Sequence, residues 1–418
     1  MSPPLDVRHP PHVSRASSLN FRLDRKGIIT SGSTARALRR RCGWIVIFGR
    51  LSRLPKCICH RDAVYPDVLH VLSSDQRRGA ETFGYDLHAA LRTRGVPSEI
   101  CCLAPGGGER RLPVTALGTS RFSLSGLRAL RRRAAQAGVV VAHGSSTLLA
   151  CGAGLVATGV PFVYLSIGDP RYWAGSRPRR IRASWLIRRA AAVVAISPTA
   201  REVLIRHYGL GPEKVHVIPN GRSTELFAPA DRDIKLAARR ALGLPLGGDV
   251  VAVVGALSAE KRVDVTITAV AQQPDLVLAI AGEGSERPAL EDQARRSAPG
   301  RVHFLGATDG SAEVLAAADV LALSSDSEGV PGILIEAGLS GLPVVATDVG
   351  WVSDVVRPDV RGLLVPPGEP DQLGAALRRA LHERDRLGQG GRELCLAEFD
   401  LATIAEKWQR LLATVALH

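Results

Sequence analysis

Two glutamates, Glu328 and Glu336, stand eight positions apart in the stretch SSDSEGVPGILIEAGLSGLPVVAT, residues 324–347. Glu328 lies in the loop that leaves an apolar strand, ADVLAL (318–323), and Pro331 and Gly332 mark a helix start. Glu336 falls just over one turn inside that helix. Proline suits a first helical turn because its missing N–H would go unpaired there in any case. Free backbone N–H groups at such an end bind phosphate, helped by the helix dipole. One acid can reach a polar substrate group at the strand's carboxyl end while the other reaches toward a ribose. This is the arrangement expected where a nucleotide-sugar is held.

Such a constellation needs a rigid frame. A strand-turn-helix unit opens with VLHVL (68–72), the loop SSDQRRGAE (73–81) and a helix carrying Phe83, Leu87 and Leu91 on one face. Further strands read as VVVA (139–142), FVYL (162–165), AVVAI (192–196) and VHVIP (215–219). After a linker at 219–248, a second series follows: VVAVV (250–254), LVLAI (276–280), RVHFL (301–305), DVLAL (319–323) and PVVAT (343–347). Unbroken β-branched runs alternating with helices imply parallel sheets covered on both faces. The expected class is therefore α/β, with two Rossmann-like domains facing across a cleft. Ligands in such sheets sit beyond the carboxyl ends of the strands. Residues 138–168 contain no Asp, Glu, Lys or Arg. His143, several Ser and Gly, and a Gly-Val-Pro break that run into strand, short helix and strand, not a membrane span.

The 418 residues suffice for two domains with full cores. The net charge of +14 is unevenly spread. Residues 1–66 hold 13 Lys/Arg against 3 Asp/Glu, residues 67–235 hold 24 against 12, and residues 236–418 hold 17 against 25. A basic first half suits a surface that meets anions, such as acidic lipid headgroups. Residues 1–66 read as a basic, poorly ordered extension, the alternative being an arm that docks on membranes. Its run WIVIFG (44–49) is too short to span a bilayer. The seven Cys form no disulfide framework, and CICH (57–60) lacks a second ligand pair at zinc-finger spacing. A reducing, cytoplasmic setting fits.

EGVPGILIE (328–336) resembles the E-x7-E signature of glycosyltransferase family 4, the retaining enzymes of GT-B fold. RGAE (78–81), VVVAHGSS (139–146), AISPTAREVL (195–204), VIPNG (217–221), VVGALSAEKR (253–262), AGEG (281–284), VHFLG (302–306) and LPVVATDVG (342–350) follow the family's order. The resemblance spans about residues 67–416. It implies an N-terminal acceptor domain at 67–232 and a nucleotide-sugar donor domain at 233–400. A last helix at 401–418 is expected to return to the first domain.

By the same resemblance, Lys261 is the cation against the donor diphosphate. A fixed cation stabilises a departing diphosphate as its charge grows. Glu336 resembles the ribose-binding acid, able to accept from both ribose hydroxyls, and Glu328 the acid facing the sugar or its phosphate. His143 matches the cleft histidine near the transferred sugar. Backbone N–H groups of Gly332, Ile333 and Leu334 are implied to hold phosphate, with Phe304 and Leu305 along the base. Gly79, Gly255 and Gly284 mark close approaches to the donor. Where the family usually carries an Arg after the loop glycine, this chain has Ala256; Arg262, or Arg77 and Arg78, are the candidates to compensate. Arg222 and Ser223 replace the usual Val-Asp, and Trp351 replaces a frequent Gly.

The implied function is transfer of a hexose from a UDP- or GDP-sugar to a glycan or lipid-linked acceptor, in cell-surface polysaccharide or glycolipid synthesis. No cofactor or metal is implied. The Asp-Arg-Asp at 231–233 sits in the linker, away from any strand end. Two arginine-rich runs, RALRRRAAQ (128–136) and RPRRIRASWLIRRA (177–190), fit peripheral contact with an anionic membrane, with Trp173 and Trp185 nearby. Nucleic acid is not expected, because no recognition motif accompanies them. The alternatives are a nucleotide-sugar epimerase of the same fold, and a catalytically weak GT-B scaffold that binds membranes peripherally.

Overall fold

The computed structural model describes residues 65–107, 111–156, 158–168, 170, 171, 176–308 and 310–417. Within the first 64 residues it describes only the backbone of four short strands. The chain divides into two compact units, Met1–Val64 and Tyr65–His418. In the first, Arg22–Leu23, Ile28–Ser31, Ala35–Arg40 and Gly43–Ile47 pair in sequence order as an antiparallel meander. The CICH run and the docking-arm expectation otherwise lie outside the described residues.

The second unit holds two parallel sheets. The strands of the first are β1 (Val68–Ser74), β2 (Ser98–Ala104), β3 (Thr115–Ala116), β4 (Val139–His143), β5 (Phe162–Ser166), β6 (Ala192–Ala195) and β7 (Val215–Val217). They lie in the order β7-β6-β5-β4-β1-β2-β3. The second sheet contains β8 (Asp249–Val254), β9 (Leu276–Ala281), β10 (Val302–Gly306), β11 (Val320–Leu323), β12 (Val344–Thr347) and β13 (Gly362–Val365), ordered β10-β9-β8-β11-β12-β13. Each sheet runs outward from its first strand and then reverses, as in doubly wound folds. That leaves a topological switch point between β1 and β4 and another between β8 and β11, where ligands bind in such sheets.

Helices cover both sheets. In the first domain they are α1 (Gly79–Thr93), α2 (Leu124–Ala134), α3 (Ser145–Gly154), α4 (Arg177–Arg188) and α5 (Pro198–Tyr208). The second has α6 (Arg232–Ala241), α7 (Val263–Ala271), α8 (Arg287–Ser297), α9 (Ala312–Ala317), α10 (Gly332–Leu339), α11 (Val352–Val355), α12 (Pro370–His382) and α13 (Arg384–Phe399). The expected apolar stripe of α1 is in place, with Phe83, Leu87 and Leu91 fully buried. Burial of each contributes roughly 1.5–3 kcal/mol. The charge-free run at 138–168 folds as β4, α3 and β5. No helix among the described residues is long and apolar enough to cross a membrane.

All ten strands expected from the sequence are present. The three that go unforeseen are β2, β3 and β13. The first two are partly exposed at one edge of the first sheet, and the third is only four residues long at an edge of the second. Two chain crossings join the domains. Arg222 N–H donates to Phe399 O at 2.9 Å, and Leu401 N–H donates to Arg222 O at 3.0 Å. The chain then returns as α14 (Leu401–Ala416), capped by Asp400, which accepts from Thr403 N–H. That helix packs on α1 with Trp408 fully buried, and Arg94 Nε donates to Gln409 Oε1 at 2.8 Å. The returning helix is thus where the sequence places it.

Candidate active site

Both switch points carry the residues singled out in the sequence. Beyond β8, the loop Gly255–Ser258 leads into a short 3-10 turn, Ala259–Lys261, and then α7. Beyond β11, the loop 324–331 leads into α10. The two loops are tied together: Ser324 Oγ donates to Arg262 O at 2.7 Å, and Asp326 N–H donates to Glu260 O at 2.9 Å. Between them Lys261 Nζ donates to Glu328 Oε1 at 2.5 Å, and Ser325 Oγ donates to the same oxygen at 2.7 Å. The expected cation and acid therefore form one ion pair at the strands' carboxyl ends. The loop after β12 closes over this acid. Gly350 has φ +57°, and a Cβ there would lie 1.8 Å from Glu328 O, so only glycine fits.

Glu336 lies one turn inside α10. Its Oε1 accepts from Arg222 Nε at 2.7 Å, and its Oε2 accepts from Ser311 Oγ. Pro331 occupies the cap position and Gly332 opens the helix. The N–H groups of Gly332 and Ile333 have no partner among the described residues, so they remain available to an anion. Leu334 N–H instead donates to Pro331 O at 3.2 Å, which corrects its expected role in holding phosphate. Gly79, first residue of α1, and Gly255 each face open space where a side chain would stand. That space suits a close donor approach at both.

Other expected positions are placed differently. Gly284 packs on the protein itself, since a Cβ there would lie 2.1 Å from Leu257 O. Its small size therefore serves the contact between two loops. Phe304 and Leu305 are adjacent on β10 and so face opposite sides of the sheet. Phe304 is half-buried against the cluster that includes Val253 and Ile280 and lies under Arg287, whereas Leu305, also half-buried, packs on the cluster around Leu244 and Ala279. Arg262 takes a left-handed conformation, φ 47°, and its guanidinium is held by Asp264 and Asp326 at 3.1 and 3.3 Å. Trp351 is buried in the core.

His143 requires a correction. It ends β4 at the first switch point, but it is only 3% exposed and lies beneath α1, not on the cleft surface. Its Nε2 is 2.9 Å from His70 Nδ1, and a Cβ on Gly84 of α1 would stand 3.0 Å from its Nδ1. Burial holds its pKa down at about 3, so the ring is neutral. A strand-end histidine reads alike in sequence whether it faces the cleft or the covering helix.

Three residues join the site without having been foreseen. Arg222, from the interdomain crossing, and Ser311 hold Glu336. Asp86 of α1 is raised in pKa by burial, while the charges of Arg222 and Arg77 pull it down and Glu336 pushes it up. It thus brings the first domain's field to the second domain's acid. The only sequence signal for any of these was the Arg at 222 in place of Val. The two domains also meet directly, since a Cβ on Gly329 would stand 3.5 Å from Ile167 O.

Two Rossmann-like units with facing switch points, crossed linkers and a cation–acid cleft define a protein of GT-B architecture. Residues 77–226 match Glycosyltransferase Family 4, and residues 235–394 match Glycosyl transferases group 1. The GDP-mannose-dependent alpha-mannosyltransferase of Mycobacterium tuberculosis is 33% identical over 380 residues, covering 85% of this chain and 93% of that protein. The D-inositol 3-phosphate glycosyltransferase of Nocardia farcinica is 34% identical over 227 residues, covering 51% of this chain and 50% of that protein. The match to the latter therefore spans half its length. The Anabaena HepE structure in complex with UDP-glucose superposes with a TM-score of 0.73 at 24% identity, covering 84% of this chain and 100% of that one. The chain belongs to glycosyltransferase family 4.

Proposed function

We propose that this protein is a retaining glycosyltransferase that moves a hexose from a UDP- or GDP-sugar to a glycan or lipid-linked acceptor. The observation that carries the reading is the Lys261–Glu328 pair beside the open amino end of α10, at the strand ends that face the first domain. A diphosphate laid over Gly255 meets the free N–H groups of Gly332 and Ile333 and the Lys261 ammonium. The bond from the sugar to that diphosphate breaks, the acceptor oxygen takes the sugar, and the acceptor proton leaves with the diphosphate. Lys261 stabilises the growing charge. Glu328 shares one oxygen between Lys261 and Ser325, which holds its carboxylate in a fixed orientation for the sugar. Protein cations and N–H groups carry the phosphate charge, so turnover is expected to survive EDTA.

The near full-length relative is named for GDP-mannose, which favours a guanosine donor; thermal shift with UDP- and GDP-sugars tests this. Release of free nucleoside diphosphate only in the presence of acceptor supports transfer. Interconversion of the sugar without acceptor would instead indicate an epimerase.

The acceptor side is read as a membrane-facing surface of the first domain. On α4, Arg177, Arg179, Arg180 and Arg182 are exposed without an ion pair among the described residues, alongside exposed Ile181 and Trp185. Trp173 lies outside the described residues. An apolar cavity of about 170 Å³ opens beside exposed Phe122 and Leu149, between α2 and α3. Flotation with anionic but not neutral liposomes is the expected outcome. Equal recovery with both would count against the surface.

A further inference from the structure

Arg222 carries a charge that the donor motifs do not account for. The residue is 5% exposed. Its Nε donates to Glu336 and its Nη1 donates to Gly221 O at 3.0 Å. The remaining nitrogen, Nη2, has no partner among the described residues and lies over the first residue of α10. A Cβ built on Gly332 would stand 2.1 Å from it. A buried guanidinium at the amino end of a helix opposes the helix dipole. Glu336 lies a turn deeper and engages only Nε. Asp86 of α1 feels the charge of Arg222 but makes no hydrogen bond to it, so the helix end, the two free N–H groups and the open guanidinium edge are reconciled by an anion between them.

On the second domain, Lys261 is shared with Glu328, and Arg262 is held by Asp264 and Asp326. The loop glycine is followed by Ala256, which has no charge to offer. The backbone of Arg222 is pinned on both sides by Phe399 and Leu401. Its guanidinium is therefore held in place before any ligand arrives, which lowers the entropic cost of binding.

We propose that Arg222 is the second donor cation of this chain: Nη2, with the N–H groups of Gly332 and Ile333, takes a phosphate oxygen of a nucleoside diphosphate while Nε orients Glu336 for the ribose. The assignment rests on the donor-cleft reading above. Calorimetry on the full chain, with GDP and UDP against guanosine and uridine, separates the two halves of the role. In Arg222→Gln the nucleoside diphosphate that the wild type binds is expected to weaken about 10- to 100-fold, the span of one charged hydrogen bond. The bare nucleoside is expected to change less than about threefold. Arg222→Lys keeps the charge but cannot hold Glu336 and phosphate together, so it recovers part of the loss.

Equal weakening of nucleoside and diphosphate overturns the assignment, since it marks a role through Glu336 alone; unchanged diphosphate affinity does so as well. Should the Gln variant fail to fold, the Lys variant decides. A diphosphate-to-nucleoside affinity ratio unchanged from wild type overturns the assignment, and a several-fold drop supports it. If the wild type binds neither diphosphate, the donor-cleft reading falls and this assignment falls with it.

Discussion

At the residue scale the cleft is a set of paired charges that a substrate must rearrange. Lys261 and Glu328 neutralise each other at 2.5 Å, and Arg222 and Ser311 occupy both oxygens of Glu336. In the proposed function a diphosphate competes for the cations, and ribose hydroxyls share the Glu336 carboxylate, which has spare lone pairs. Lys261→Ala is therefore expected to lower kcat about 100- to 1000-fold with little change in acceptor KM, measured as nucleoside diphosphate release. Glu336→Gln is expected to raise donor KM about tenfold or more with a smaller effect on kcat. A loss confined to kcat would remove Glu336 from ribose binding. The acids were legible because their spacing follows a strand end and a helix start, and the lysine because its motif resembles the family's. Arg222 was visible as an odd residue but not as a partner of Glu336, because 114 positions separate the two in the chain.

At the element scale, loops held by their neighbours position the chemistry. The loop carrying Glu328 is fixed from below by Thr347 Oγ1, which donates to Ser325 O at 2.6 Å, and from above by the Gly350 turn. Gly350→Ala meets both a left-handed φ and the Glu328 carbonyl, so the loop must shift. The strain in φ alone costs about 1–2 kcal/mol. Chemical denaturation should show at least that loss, accompanied by weaker donor binding. Gly79→Ala, in open space at the start of α1, should stay within about 1 kcal/mol of wild type. If both variants prove equally stable, the close packing at Gly350 is refuted. Strand positions were readable from unbroken Val, Leu and Ile runs, which only a doubly covered sheet can bury. The edge strands escaped notice because partial exposure breaks that pattern.

At the scale of the whole molecule, the buried His70–His143 pair ties stability to pH. Burial lowers both pKa values, His143 from 6.5 to about 3. The unfolded chain therefore binds protons that the folded one refuses, and stability falls as pH drops below about 6.5. His143 is expected to cost roughly 1.5 kcal/mol between pH 6.5 and 5, read from urea midpoints, with His70 acting in the same direction. Asp86, raised by burial, works in the opposite sense, because its extra proton favours the folded state as acidity increases. His143→Gln should flatten the acid limb, and an unchanged slope would show that this histidine does not titrate on unfolding. The sequence by itself determined the two-domain α/β frame and the positions of Glu328 and Glu336, because these are written in local periodicity and short spacing, while the place of Lys261 and the returning helix followed from the resemblance to the family. Only the tertiary structure decided that His143 lies under α1, that Gly284 packs on Leu257, and that Arg222 reaches Glu336 from the interdomain crossing. Those outcomes are set by packing between segments that the chain separates by tens of residues or more, within a domain for His143 and Gly284 and at the interdomain crossing for Arg222.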